Sequence, residues 1–110
     1  MHELAIAESV LSTIIDRVGE RRVHSVRLEI GQLSGVSAEA LRFCFELASV
    51  GTGLEQAQLE ILEPPGRGRC RTCREEFTVQ DHILLCSCGS SDVTLMTGDE
   101  LRVLSVEVIR

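Results

Sequence analysis

The sequence predicts an α+β fold: two helices packed on a three-stranded sheet, with a zinc-ribbon-like metal-binding lobe inserted between the second and third strands. Two observations of pattern and one of size lead there. Two stretches of helical period and three of period two succeed one another, and the stretch before the last of them carries four clustered cysteines and almost no apolar periodicity. The chain has 110 residues, about one domain's worth. A segment of roughly thirty residues within it cannot hold a hydrophobic core of its own and needs a metal staple. The expected division is residues 1–64 with 99–110 as a helix/sheet domain, and 65–98 as the inserted metal-binding domain.

From Glu3 to Val18 the apolar residues Leu4, Ala7, Leu11, Ile14, Ile15 and Val18 recur at helical spacing, and Gly19 stands where a helix C-terminus is expected. Glu8, Ser12, Asp16 and Arg17 form its solvated face. From Val23 to Ile30 the period changes to two, with Val26, Leu28 and Ile30 set against Arg27 and Glu29, which describes a half-buried strand. Gly31 and Gly35 bracket a turn. Ser37 is suited to cap a second helix from Ala38 to about Ser49 that buries Leu41, Cys44, Phe45 and Ala48. Gly51 and Gly53 end it. Ala57, Leu59 and Ile61 then alternate with Gln58, Glu60 and Glu63 in a second strand, until Pro64-Pro65-Gly66 breaks the pattern. Leu101 to Ile109 reads as the third strand, with Leu104, Val106 and Val108 inward.

Composition removes several function classes. All 11 basic residues are Arg, against 17 acidic ones, for a formal charge of −6. Electrostatic binding of nucleic acid is therefore not expected. Without Lys there is neither a Schiff base nor a phosphate-loop lysine, and with Phe43, Phe45 and Phe77 as the sole aromatics there is little to stack on a base. No apolar run reaches membrane-spanning length, and the start Met1-His2-Glu3 is polar rather than signal-like, so a cytoplasmic, non-membrane protein is expected. No catalytic triad or pair of catalytic carboxylates can be placed, which argues against an enzyme.

The cysteine spacing is Cys70-x2-Cys73-x12-Cys86-x1-Cys88. Four thiolates arriving from two turns suit tetrahedral Zn²⁺, and a closed four-Cys shell leaves no position open for catalysis. Gly89 supplies backbone freedom for the second turn. The C-x-C pair is tighter than the usual C-x-x-C, and His82, four residues before Cys86, could stand in for Cys88. A dithiol oxidoreductase is the competing reading, without the βαβ surroundings such a motif usually has. Arg67, Arg69, Arg71 and Arg74 around the first pair raise a nucleic-acid zinc ribbon as another. Glu75, Glu76, Asp81 and Asp92 balance those charges. Cys44 lies on the apolar stripe of the second helix and reads as a small buried thiol.

The N-terminus carries a second constellation. The α-amine of Met1 and the backbone nitrogen and imidazole of His2 can form fused chelate rings, a nitrogen-rich and near-planar set suited to Ni²⁺ or Cu²⁺ rather than Zn²⁺. Glu3 or its backbone nitrogen could add a fourth donor. By itself a His at position 2 is weak evidence of a site.

Several segments together resemble a known family. These are Met1-His2-Glu3-Leu4, Val26-Arg27-Leu28-Glu29-Ile30-Gly31, Glu39-Ala40-Leu41-Arg42-Phe43, the two Cys pairs with Cys88-Gly89-Ser90, and Gly98-Asp99-Glu100-Leu101-Arg102-Val103. In order and spacing they resemble the HypA/HybF hydrogenase maturation nickel metallochaperones over essentially the whole chain. The resemblance implies a cytoplasmic, non-catalytic protein that carries Ni²⁺ as transient cargo toward the [NiFe]-hydrogenase large subunit. It implies nickel at Met1, His2 and Glu3, with His2 the main side-chain ligand, and structural zinc at Cys70, Cys73, Cys86 and Cys88. The implied partners are the hydrogenase maturation GTPase, the large subunit and, for some members, urease maturation proteins, with the chain a monomer or homodimer. The sequence departs from certain members in lacking His beside the zinc cysteines and in having C-x-C as its second pair.

Overall fold

The computed structural model describes residues 2–110. Eight elements follow in order: α1 (Glu3–Val18), β1 (Val23–Ile30), α2 (Ala38–Ala48), β2 (Gln58–Leu62), β3 (Gly66–Cys70), β4 (Glu76–Val79), β5 (Val93–Thr97) and β6 (Leu101–Val108). They form two three-stranded sheets, ordered β2-β1-β6 and β4-β3-β5. In the first, β1 pairs parallel with β2 and antiparallel with β6, so the chain leaves this sheet after β2, builds the second sheet, and returns in β6. The Cα radius of gyration of 17.1 Å exceeds the about 13 Å of a compact chain of this length, as two lobes set end to end require.

The core belongs to the first sheet. Ala7, Leu11, Ile14 and Val18 of α1 and Leu41 and Phe45 of α2 pack with Val23, Val26, Leu28 and Ile30 of β1. The predicted caps form. Gly19 ends α1 with φ 66° and its N–H on the Ile15 carbonyl, and the Ser37 side chain accepts from the Ala40 N–H at the start of α2. Such a cap contributes about 1 kcal/mol.

Three expectations need correction. Leu4, placed on the buried stripe of α1, is 50% exposed, while its neighbour Glu3 is buried. The reason is a hydrogen bond: the Ser37 N–H donates to Glu3 Oε2 at 3.0 Å, drawing the carboxylate against the α2 N-terminus. In β6 the inward residues are Val103, Val106 and Val108, and Leu104 is exposed. The register with β1 steps from Arg27↔Ser105 to Leu28↔Val103, so Leu104 is an extra, bulged residue that resets the alternation. The inserted segment also contains a regular sheet where the sequence shows almost no alternation. Its inner positions include Gly66 and Gly68, and a side chain at Gly68 would collide with Val79 and Val93. Small residues on the inner face erase the hydrophobic signature that marks a strand.

Candidate metal centre

Two knuckles bring the four sulfurs together. In the first, the Cys70 N–H donates to the Glu75 carbonyl (2.9 Å), with Arg74 at φ 66° turning the chain. In the second, the Gly89 N–H donates to the Cys86 carbonyl and the Cys86 N–H to the Ser90 carbonyl, both at 2.9 Å. Gly89 sits at φ 93°, which lets a C-x-C pair close a tight loop with both thiols on one side. A hydroxyl contact of 2.8 Å between Thr72 and Ser90 ties one knuckle to the other.

All four ligand sulfurs lie within 4.8 Å of one another. Cys70 Sγ is 3.7 Å from Cys88 Sγ, and Cys73 Sγ is 3.5 Å from Cys86 Sγ. Tetrahedral zinc with Zn–S near 2.3 Å needs sulfurs about 3.8 Å apart, so the set has the size of a zinc shell and is far too open for disulfides. Cys70 and Cys86 are buried, Cys73 and Cys88 exposed.

The thiols are electrostatically unequal. The backbone N–H of Cys73, 3.4 Å from Cys70 Sγ, stabilises a thiolate there and brings Cys70 down to about 6 against the opposing effect of burial. At Cys73 a backbone hydrogen bond from Glu75 favours the thiolate, but hydrogen bonding to Cys86, burial, and bonds to Cys70 and Cys88 outweigh it and push the thiol up to about 12. Cys88 is also raised: a backbone bond from Ser90 opposes the shift, and the bond to Cys86 and burial prevail. Four adjacent sulfurs therefore cannot all be anionic unless a divalent cation joins them.

His82 does not enter this shell. Its ring is exposed, and Nε2 lies 2.8 Å from the Leu33 carbonyl, so that nitrogen carries the proton and donates across the junction to the β1–α2 loop. Two arginines of the segment serve the sheet: Arg67 donates to Thr78 Oγ1, and Arg71 to Thr94 Oγ1 and Asp92. Cys44 packs against the core of the first lobe but is half-buried, not the fully buried thiol expected from the apolar stripe of α2. Among the described residues the four cysteines are the one grouping able to hold a metal. No helix among them is long and apolar enough to cross a membrane.

Of the N-terminal constellation, Met1 lies outside the described residues. His2 is the exposed N-cap residue of α1; its side chain makes no capping bond, while its carbonyl accepts from the Ile6 N–H at 3.0 Å. Glu3 next to it is committed to Ser37, and this bond, the main influence on the group, holds its carboxyl below the ordinary 4.5. The sequence could not announce this contact, because it joins residues 34 positions apart.

Because the folded-state pKa of Glu3 is depressed, the bond stabilises the fold fully above about pH 4.5 and is lost as pH falls through the lower folded value. Glu3→Gln is expected to reduce the urea midpoint at pH 7, with the gap to the parent chain narrowing as pH drops well below 4.5. Parallel urea titrations at pH 7 and pH 3 measure this, and a gap that is equal at both would rule out the carboxylate as its source.

A helix-and-sheet lobe joined to a small ribbon closed by four thiolates defines a two-lobed metal-binding protein. The family described as "Hydrogenase/urease nickel incorporation, metallochaperone, hypA" matches residues 1–108, and the chain belongs to this HypA family. The protein named hydrogenase maturation factor HypA in Geotalea daltonii is 48% identical over 110 residues, covering 99% of this chain and 100% of the relative. Those of the same name from Geobacter metallireducens and Nostoc punctiforme are 45% and 42% identical, each over 98% of this chain and 99% and 96% of their own. The solution structure of the Ni metallochaperone HypA from Helicobacter pylori shares the fold, with a TM-score of 0.68 at 23% identity over 99% of this chain and 98% of that one.

Proposed function

We propose that this chain is a nickel metallochaperone of hydrogenase maturation, which binds Ni(II) at its N-terminus and helps insert it into the [NiFe]-hydrogenase large subunit. The observation that carries this reading is membership of the HypA family across residues 1–108. Nickel is held by Met1, His2 and Glu3, with the His2 imidazole as the principal side-chain ligand; that imidazole is exposed and makes no capping bond. Zinc at Cys70, Cys73, Cys86 and Cys88 is structural. Residues 1–64 with 99–110 act as the nickel-binding domain and 65–98 as the zinc-binding domain. The protein works in the cytoplasm without catalysing a reaction, and its partners are the maturation GTPase and the large subunit, with urease maturation proteins served by some members of the family.

The two sites divide the labour. A closed thiolate shell holds its metal and orders a small lobe, whereas a nitrogen-rich site on an exposed helix start keeps an open face to which a recipient's ligands can add. The amine and imidazole must be deprotonated to coordinate, so nickel affinity rises with pH through neutrality.

The test is a Ni²⁺ titration of the zinc-loaded protein with a native, untagged N-terminus beside His2→Ala. The expected result is loss of more than about 100-fold in nickel affinity with zinc content and circular dichroism unchanged, since even a partner behind a ligand is worth 10–100-fold. Equal nickel binding in both proteins would overturn the assignment of the terminus and favour a zinc-ribbon scaffold that delivers no nickel.

A further inference from the structure

The second helix is apolar on two sides. Leu41 and Phe45 of α2 face the core, while Phe43 and Leu47, continued by Val50 just past the helix end, form a second apolar row at i, i+4 and i+7. These three are 63%, 57% and 65% exposed, and Phe43 is one of only three aromatic residues in the chain. Beside the row a groove of about 320 Å³ runs between the helices, lined by Glu8, Leu11, Ile15 and Asp16 of α1 and Ala48 of α2. Leu4, one turn before Glu8 and 50% exposed, extends it toward the N-terminus. A contiguous apolar surface that the core does not use marks a contact with another molecule.

Backbone and charge together identify the occupant. Helices offer no open strand edge, so nothing can be added here as a strand; the groove between two packed helices takes a third helix, whose side chains ride in it as ridges. Glu8 and Asp16 stand along one border of the face and Glu39 and Glu46 along the other, all four exposed and none in an ion pair among the described residues. The arginines of the two helices point elsewhere: Arg17 lines the groove between α1 and β6, and Arg42 donates to the Leu59 carbonyl of β2. An apolar row between two borders of unpaired carboxylates is complementary to an apolar helix face flanked by Arg or Lys. The same borders reject other occupants. A second copy laid face to face would set carboxylates against carboxylates, and an anionic lipid surface would be repelled.

This face ends at the N-terminus. The Ser37 N–H on Glu3 Oε2 holds the starts of α1 and α2 together, so the exposed His2 lies at the same end of the groove as Leu4. A helix laid along the groove therefore ends beside His2.

We propose that the outer face of α1 and α2, centred on Phe43 and Leu47, docks a cationic amphipathic helix of a partner protein. That docking sets the partner beside bound nickel rests on the function proposed above; the docking itself needs no nickel.

The experiment is an NMR titration of the zinc-loaded, untagged chain with a synthetic amphipathic helix of about five turns, Leu on one face and Arg along both flanks, beside the same peptide with Glu in place of Arg. Amide shifts are expected to gather around Leu4, Phe43, Leu47 and Val50, with the Arg peptide binding about tenfold or more tighter than the Glu peptide. Phe43→Asp, at an exposed position, is expected to weaken the Arg peptide about tenfold while zinc content, circular dichroism and nickel affinity stay at the parent values. Glu39→Arg combined with Glu46→Arg should remove the preference between the peptides. Shifts centred on the groove beside β6, or equal binding of the two peptides, would overturn the proposal. The purified maturation GTPase and large subunit are titrated in the same way against the parent chain and Phe43→Asp, and at least one is expected to lose about tenfold in affinity. If both bind the variant as tightly as the parent, partners dock elsewhere and the proposal falls. A parent chain that binds neither protein counts against the function proposed above, and the peptide result then decides the docking. Equal nickel binding in His2→Ala and the parent would likewise leave the peptide shifts and the Phe43→Asp effect standing.

Discussion

Cys73→Ser is expected to lower bound zinc from one ion per chain to nearly none and to unfold residues 65–98 while α1, α2 and the first sheet persist. The two lobes differ in what holds them. Every buried residue of the hydrophobic core cluster lies between Ala7 and Leu54, in the helices, β1 and the loop before β2. The inserted lobe buries as side chains only Cys70, Val79 and Cys86, two of which belong to the four-cysteine cluster. Its remaining inner positions are the glycines 66, 68 and 98. Without metal there is too little apolar area to offset the conformational entropy of about thirty ordered residues. Metal binding is the folding free energy of such a lobe, worth an apparent 10–16 kcal/mol or so for structural zinc near neutrality. Cys73 is exposed, so a serine there disturbs no packing and tests the sulfur alone. Zinc analysis and amide exchange across β3, β4 and β5 measure the effect; full zinc and undiminished protection in the variant would mean that three thiolates suffice. Exchange in α1 and β1 should stay unchanged, which distinguishes loss of one lobe from global unfolding.

How much of this was legible in the sequence depends on whether a contact is periodic or crossing. The α1, β1 and α2 elements lie where their apolar periods place them, because each buries one face on one core and no local feature competes. The four cysteines were legible for a different reason: few side chains other than metal ligands need that spacing in a segment without a core. What failed were features fixed by distant partners. Glu3 is drawn inward by a backbone N–H in another helix, against its polarity. Leu104 is turned outward by a bulge whose existence depends on the register with β1. The second sheet is hidden because glycine, which reads as a breaker, is there the residue that lets strands and side chains approach. His82, weighed as a spare ligand, instead spans the lobe junction to Leu33.

Gly31→Ala is expected to be the most destabilising single-atom-group addition in the first lobe, and the reason lies at the same junction. Gly31, taken alone, marks a turn. In the fold it is a crossing point: a methyl group there would lie 2.0 Å from the Gly98 carbonyl oxygen, 2.1 Å from its carbon and 2.6 Å from the Asp99 nitrogen. All three are backbone atoms, and the turn carrying them is held in place by the Gly31 N–H on the Glu100 carbonyl and the Leu33 N–H on the Gly98 carbonyl. Nor can that turn retreat, because Gly98, at φ 117°, has the Gly66 Cα 2.6 Å from the position of its own missing Cβ. Three glycines from the end of β1, the start of β3 and the turn before β6 therefore stack where the chain enters and leaves the metal lobe. An alanine at Gly31 must separate them, at a cost of about 3 kcal/mol or more, which for a chain of this size lowers the melting temperature by at least about 12 °C. Gly51→Ala is the comparison: unlike Gly31 it sits at a positive φ, 81°, but it has open space around the added carbon, so it bears only backbone strain of about 1 kcal/mol. Thermal unfolding of the two zinc-loaded variants separates the explanations. If Gly31→Ala melts within a few degrees of Gly51→Ala, the crossing is looser than these distances say, and the metal lobe is not pinned to the helical lobe through its glycines.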